Sequence, residues 1–593
     1  MQRKIRVRIY HNGYLFYLDN YTILCRILYS LVVQNIYILM ISSKEIRSRK
    51  FYYNDLLRDY IFDFRNVRKF YEYDYRKIDH YKKRVLDIKK GYSKENRAKL
   101  YSILKSCNKS IGCSKKTVEN IEKLKSERSL AVIGGQQPGF LTGPIFIIFK
   151  VLTVLKLSSY FEKELKSPVI PCFWNASDDN NFSQADNLNI INGKITNIKL
   201  DLSDFDPKTR YSDIYLDAGR IEKVIEKVEG ILRPTGFKDD IVDLCKSSLA
   251  GTVKNCSNDK GEINISSFFS SVIARIFSDY GIVIIDPDCA ELKKLSLELV
   301  EFDMENHCRI SDLINTAGKR LNSCGYHNQL NSIPGTLDFF FNLENTRSKI
   351  YSEKNDLFRV SNKKYGKTEF RDLIRKSPDF ISLNVVLRPL FQDKFLPVLC
   401  SVCGPGEVSY FAQLKPVYDL VDLKMPVIYP RFSATIIEKK IKKLTERLKV
   451  LYSELESEKE DMIKKVIGKK LKIDLAKLVQ DLEDDIQKKL EKLKESISDY
   501  EMNISSSFDR IKRNTKKEIK VLNKKLYAEY KKQNEFIAKS IDKIYENIFP
   551  NSNLQEREVN IISYLNKYSL KFIDELYLTV KPLDFFHKFL EID

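Results

Sequence analysis

Five short apolar runs constrain the fold more than any other feature of this chain. They are "LAVIGG" (130–135), "VIPCFWNAS" (169–177), "GIVIIDP" (281–287), "FLPVLCSV" (395–402) and "MPVIYPRFS" (425–433). Runs rich in Val and Ile, apolar at consecutive rather than alternate positions, suit strands buried on both faces. Pro144 to Lys166, between the first two runs, is long enough for a crossover helix, and strand–helix–strand at that spacing predicts a βαβ unit. "GIVIIDPDCAELKKLSLELVEF" repeats the strand-to-helix step. The predicted core is therefore α/β, with a parallel, doubly wound sheet that gathers its sites at the carboxyl ends of its strands.

Around that core the chain divides. Residues 1–50 form a basic, then apolar extension in which Asp19, Arg26, Gln34 and Asn35 interrupt the apolar run. A membrane span needs about 20 largely apolar residues, so none is expected here. No small-residue cleavage site follows, and Met40 is an alternative start that would make the prefix dispensable. The core domain is expected over 51–433, opening with polar helices to about Arg128 and carrying insertions near 195–275 and 305–370. "NGKITNIKLDLSDFDP" reads as a hairpin in the first insertion, and the second reads as a small β region. After Ser433 the rhythm changes: Leu475, Leu478, Leu482, Ile486, Leu490, Leu493 and Ile497 recur at three- and four-residue spacing among Lys and Glu. That is a coiled coil over 434–548, read as an antiparallel hairpin with breaks at Gly468 and "NISSS" (503–507). Residues 549–593 read as a C-terminal helical segment.

The 593 residues carry a net charge of +21, mostly scattered lysine, which does not single out nucleic acid as a partner. Eleven irregularly placed cysteines suggest reduced thiols and a cytoplasmic location. Cys400 and Cys403 form a lone C-x-x-C, better read as two small core residues than as half a zinc site, so no metal is expected.

Three stretches carry the candidate chemistry. "GGQQPGFLTGP" (134–144) follows a strand and opens a helix, a place where backbone N–H groups suit an anion. Neither G-x-x-x-x-G-K-[ST] nor G-x-G-x-x-G fits it, and tight packing alone accounts for its glycines. Gly135, Gln136, Gln137, Gly139 and Gly143 are the candidates there for a nucleotide or phosphate. "FWNASDDNNF" (173–182) puts the only tryptophan, Trp174, before Asp178, Asp179, Asn180 and Asn181, an arrangement suited to a polyhydroxylated or amine-bearing ligand, or to a helix cap. In the third stretch, Ser382 to Glu438, Glu407 opens a helix with Tyr410 one turn on. Arg388 and Arg431 could each clamp a carboxylate, with a structural ion pair as the alternative for Arg388.

Together these stretches resemble the bacillithiol biosynthesis cysteine-adding enzyme (BshC) family. The resemblance rests on "GGQQPGFLTGP", "FWNASDD" (173–179), "NVVLRPLFQD" (384–393), "GPGEVSYFAQLKP" (404–416), "PRFS" (430–433) and "LQERE" (554–558), and runs in order from about residue 52 to 590. It implies a Rossmann-like core with inserted connective segments and a C-terminal coiled coil supporting a homodimer. It also implies a ligase that joins the carboxyl of L-cysteine to the glucosamine amine of glucosaminyl-malate. Similarity in architecture to class I aminoacyl-tRNA synthetases implies, by analogy, ATP for cysteine activation, although no HxGH or KMSKS element is present. On this reading Asp178, Asp179 and Glu407 are the catalytic candidates. Trp174, Asn180, Asn181, Asn384, Arg388, Tyr410, Gln413 and Arg431 line the substrates.

One departure stands out. Where the family pattern has histidine, aspartate and, slightly later, glutamate, this chain has Asn180, Asn181 and Gln184. Asparagine cannot act as a general base. Either Asp178 or Asp179 takes that role, or the pair only hydrogen-bonds a sugar, or the protein is a degenerate homologue. A ligase for a different thiol or amine, and a basic coiled-coil nucleic-acid-binding protein, are the remaining alternatives.

Overall fold

The computed structural model describes residues 7–11, 14–18, 41–46, 54–471, 475–497 and 505–593. Met40 and most of the extension lie outside these residues. The chain forms two units, the first comprising 1–45, 49–435 and 556–588, the second 46–48, 436–555 and 589–593.

All five apolar runs contribute to one sheet in the first unit. Its strands are β1 (Leu130–Gln136), β2 (Val169–Asn175), β3 (Val283–Ile285), β4 (Val398–Cys403) and β5 (Val427–Pro430). They pair in the order β3-β2-β1-β4-β5, every pair parallel. Sequence order reverses direction between β1 and β4, which makes that junction the topological switch point. Cys400 and Cys403 lie within β4 and are buried. Helix α1 (Phe146–Glu164) crosses from β1 to β2 and is apolar nearly all round, as a helix covered on several sides must be.

The two sheet edges are covered by the polar helices of 55–122. Asn108 exchanges two hydrogen bonds with Ile284 of β3, at 2.8 and 2.9 Å, and the Tyr60 hydroxyl donates to the Ile428 carbonyl of β5 at 2.5 Å. Each occupies a backbone group that an open edge would expose.

The insertions prove more regular than the sequence suggests. The hairpin Asn187–Asn192 with Lys194–Lys199 is followed by helices Ala218–Ile231, Lys238–Cys256 and α2 (Ile265–Ile276). Helix α3 (Ala290–Ser323) runs well past the point where the second insertion is expected to begin. An antiparallel sheet then forms from Thr336–Leu343, Thr346–Glu353, Leu357–Val360 and Lys363–Gly366, and Ile381–Leu383 completes it. Helices α4 (Leu387–Phe395) and α5 (Pro405–Leu420) flank β4 in sequence.

In the second unit, helices Leu475–Ser496 and Ser505–Gln533 pair antiparallel, with Lys516 on Glu483 and Lys512 on Glu491. Gly468 is not a break, because it lies inside helix Lys459–Leu471. Residues 549–593 are not wholly helical either, since the chain ends in strand His587–Ile592.

Candidate functional site

At the carboxyl end of β1 the backbone of Gly135 passes so close to β2 that a Cβ there would lie 2.8 Å from the Trp174 Cβ and 2.9 Å from its carbonyl oxygen. Only glycine allows that approach. The next two residues project the amides whose purpose the sequence leaves open. Lys150, from α1, donates to the Gln136 Oε1 at 3.3 Å, Gln136 donates to the Gln137 Oε1 at 2.6 Å, and Gln137 donates to the Asp179 Oδ2 at 2.8 Å. An ammonium can only donate and a carboxylate can only accept, so the two ends dictate how both amides are turned.

Lys150 is 1% exposed and also bonds the Gly135 carbonyl and the Glu407 carboxylate, each at 2.5 Å. Burial pushes its ammonium below the usual lysine range, against the pull of Glu407. Glu407 is placed by the first turn of α5, where its Oε2 also accepts the Gly404 N–H at 2.6 Å. An ion pair between α1 and α5, buried at its lysine end, thus ties the carboxyl ends of β1 and β4 across the switch point.

The far end of the chain of amides meets the inserted sheet. Glu344 and Asn345 both take positive φ, 53° and 59°, in a two-residue hairpin turn, and Arg347 is the second residue of the strand that returns from it. Its guanidinium approaches the Asp179 Oδ1 at 3.4 Å and the Asn180 Oδ1 at 3.5 Å, and lies 3.8 Å from the Phe340 ring centroid. Asp178 beside it is buried, with no hydrogen bond to its carboxylate among the described residues, and it attracts Arg388, Arg347 and Arg210. Asn181 is exposed and its carbonyl accepts the Tyr211 hydroxyl. The side chain of Gln184 lies outside the described residues. Trp174 is 2% exposed, and among the described residues its buried indole N–H has no acceptor.

Arg388 opens α4 and donates to the Tyr410 hydroxyl at 2.9 Å. Burial opposes its charge, but Tyr410, Glu407 and Asp178 outweigh burial and raise its pKa. Among the described residues no carboxylate lies within ion-pair distance of it, so the structural-ion-pair alternative does not hold.

Three sequence candidates have partners within the protein. The amide of Asn384 bonds the Asp338 carboxylate at 2.8 Å and its carbonyl oxygen caps α4. Gln413 is buried and pins the 329–330 backbone through bonds of 2.7 to 2.9 Å. Arg431 is buried against Glu556 at 2.6 Å, with the Phe432 carbonyl at 2.9 Å. A buried polar side chain must find its partners, and these find them in the protein.

The glycine turn itself faces inward. Asn560 donates to the carbonyls of Leu141 and Gly143 at 2.8 and 2.7 Å, and the Ile145 N–H bonds the Val559 carbonyl at 2.8 Å. Gly143 takes φ +67°, a Cβ on it would lie 3.2 Å from the Gly139 Cα, and Leu141 and Thr142 also take positive φ. The carbonyls of Leu141 and Gly143 are thus tied to Asn560. Lys150, Arg347, Arg210 and Asp286 belong to the polar cluster although no sequence motif singles them out. Asp286, at the end of β3, accepts the Ser177 hydroxyl and the Asp288 N–H, the latter at 3.0 Å.

The order β3-β2-β1-β4-β5, with acidic, basic and amide groups converging beyond β1, β2 and β4, defines a Rossmann-like protein with a polar side-chain cluster at its switch point. Comparison with known proteins narrows this. Residues 41–432 match the bacillithiol biosynthesis BshC N-terminal Rossmann-like domain, and residues 434–592 match the C-terminal coiled-coil domain of the same family. The chain belongs to the bacillithiol biosynthesis BshC family. It is 29% identical over 551 residues to a protein of Desulforamulus reducens, covering 92% of this chain and 98% of that one. It is 28% identical to one of Salinibacter ruber (88% and 93% covered) and 27% identical to one of Geobacillus kaustophilus (83% and 90%). All three relatives bear the name "Putative cysteine ligase BshC". Among the described residues no helix is long and apolar enough to cross a membrane.

Proposed function

We propose that this protein forms the amide bond of bacillithiol, joining the carboxyl of L-cysteine to the glucosamine amine of glucosaminyl-malate. The observation that carries the reading is Arg388: a guanidinium held in place by a phenol, beside acidic residues, with its own carboxylate partner still to come. Amide formation needs two substrates held as neighbours, one with its amine deprotonated and one with its carboxyl activated. ATP is the co-substrate for that activation, and its phosphoryl-derived leaving group would carry off the carboxyl oxygen. Arg388 binds a malate carboxylate, and Arg347 serves the same acid-bearing side. Asp178 takes the proton from the attacking amine, since its carboxylate is the one in the cluster with no hydrogen bond to satisfy. Asp179, held by Gln137 and Arg347, positions the sugar with Asn180 and the Trp174 indole. Lys150 and Glu407 order the carboxyl ends of β1 and β4 around the cysteine. Cysteine chemistry of this kind belongs in the cytoplasm, and the protein acts as a homodimer through its coiled coil.

The test is thiol profiling by mass spectrometry in cells that make glucosaminyl-malate but lack the last step. Bacillithiol is expected with the wild-type chain and is lost with Arg388→Ala. Its absence with a soluble wild-type protein would refute the proposal. The second reading, a relative that has lost turnover, is favoured only by Asn180 and Asn181. It predicts that bacillithiol appears only when these are changed to His and Asp.

A further inference from the structure

Cys107 and Cys289 face each other beside the core sheet, and nothing in the proposed reaction uses them. Cys107 lies near the end of helix Lys94–Ser110, and Cys289 is the N-cap of α3, 182 residues further along the chain. Their sulfurs are 3.0 Å apart and both residues are part exposed. The other described cysteines differ. Cys172, Cys245, Cys400 and Cys403 are buried, while Cys308 and Cys324 are exposed. Cys113 and Cys256 are part exposed, and Cys256 bonds the Ser110 carbonyl at 3.2 Å.

The surroundings make the two sulfurs unequal. Cys289 sits where the first N–H groups of a long helix point, and Cys107 donates its S–H to it. That hydrogen bond, opposed by burial and by the Glu291 carboxylate 3.2 Å from the sulfur, holds the Cys289 thiol below its usual range, whereas Cys107 is raised by the same bond and by burial. A part-exposed sulfur 3.0 Å from a second thiol is the arrangement that oxidises reversibly to a disulfide rather than running on to sulfinic acid.

We propose that Cys107 and Cys289 form a peroxide-sensitive dithiol that closes to an intramolecular disulfide. The Cys289 thiolate attacks the O–O bond of a hydroperoxide, giving a sulfenic acid and releasing the alcohol, or water from hydrogen peroxide. The Cys107 thiol then displaces the sulfenic oxygen, forming the S–S bond and releasing water. Two thiols lose two electrons and two protons, and the peroxide gains them. Reduction by an external dithiol reverses the change. The bond would tie helix Lys94–Ser110 to the β3–α3 turn. That turn carries Asp286, which accepts the hydroxyl of Ser177, the neighbour of Asp178.

The experiment treats the full chain with hydrogen peroxide, then blocks free thiols and maps peptides by mass spectrometry. The expected product is a Cys107–Cys289 linked peptide with a mass loss of about 2 Da. It should be reversed by dithiothreitol and be present in Cys308→Ser but absent from Cys107→Ser and Cys289→Ser. In Cys107→Ser, a sulfenic-acid trap should label Cys289, and in Cys289→Ser it should leave Cys107 unlabelled. Stable sulfinic or sulfonic acid on the wild-type pair without a link, a link to a different cysteine, or labelling in the reverse order would overturn the proposal. None of these readouts depends on ligase activity.

Discussion

Lys150 and Asp286 are the two single residues whose environments lead to the sharpest expectations. Lys150→Met removes the buried half of an ion pair, takes the ammonium from the Gly135 carbonyl and leaves Glu407 with the Gly404 N–H alone. A loss of about 3 kcal/mol in denaturant unfolding is expected, together with loss of bacillithiol formation. A variant as stable as the wild type would contradict this. Asp286 works through pH. Burial, and next Asp288, push its carboxyl from 3.8 up to about 7. Between about pH 4 and 7 the folded chain therefore keeps a proton that the unfolded chain has released. Its contribution falls as pH rises through that window, at up to about 1.4 kcal/mol per pH unit, and levels off above it. Asp286→Asn should remove that slope, so thermal midpoints of variant and wild type should diverge from pH 4 to 7 and run parallel beyond. Parallel curves throughout would count against the assignment. Lys150 is legible in the sequence as the lone charge inside "FIIFKVL", which an apolar helix would not carry idly. Arg347 is not, because it meets Asp179 across 168 residues and the turn that aims it looks like any other.

At the scale of elements, the five core strands announce themselves because a buried parallel strand must be apolar at every position. Strand Ile381–Leu383 does not, being three residues long and paired to an insertion formed far upstream. Gly468 misleads for a related reason: helix packing tolerates a glycine that propensity alone would read as a stop. Two glycine substitutions separate these situations. Gly135→Ala forces β1 and β2 apart where the Trp174 carbonyl blocks the Cβ, and should destabilise by about 1–3 kcal/mol. Gly230→Ala, in helix Ala218–Ile231 with nothing within 4 Å of the new Cβ, should stabilise by about 0.5–1 kcal/mol. Melting temperatures moving in the same direction would refute the contrast.

For the whole molecule, the coiled-coil unit carries the clearest consequence. Leu478, Leu482, Leu493, Ile511 and Leu522 remain 42–55% exposed although they lie on the apolar repeat of the hairpin. Two helices do not cover that stripe, and a second copy of the chain is the partner proposed for it. Leu482→Glu with Leu522→Glu should convert a dimer to a monomer in sedimentation velocity while leaving the secondary structure intact. An unchanged sedimentation coefficient would rule out this face. The repeat is visible in the sequence, because its period survives in every turn, whereas residual exposure needs coordinates.

The two glutamines at the end of β1 also bear on how the site would respond to a ligand. Their amides hold one orientation because a pure donor stands at one end and a pure acceptor at the other. Whatever neutralises or displaces the Asp179 carboxylate removes the acceptor that keeps them aligned, and the disturbance arrives at Lys150 and so at Glu407 on the other half of the sheet. The carboxyl ends of β1 and β4 consequently share a single polarity, and a ligand taken up at Asp179 would change the terms on which one could be held at Glu407.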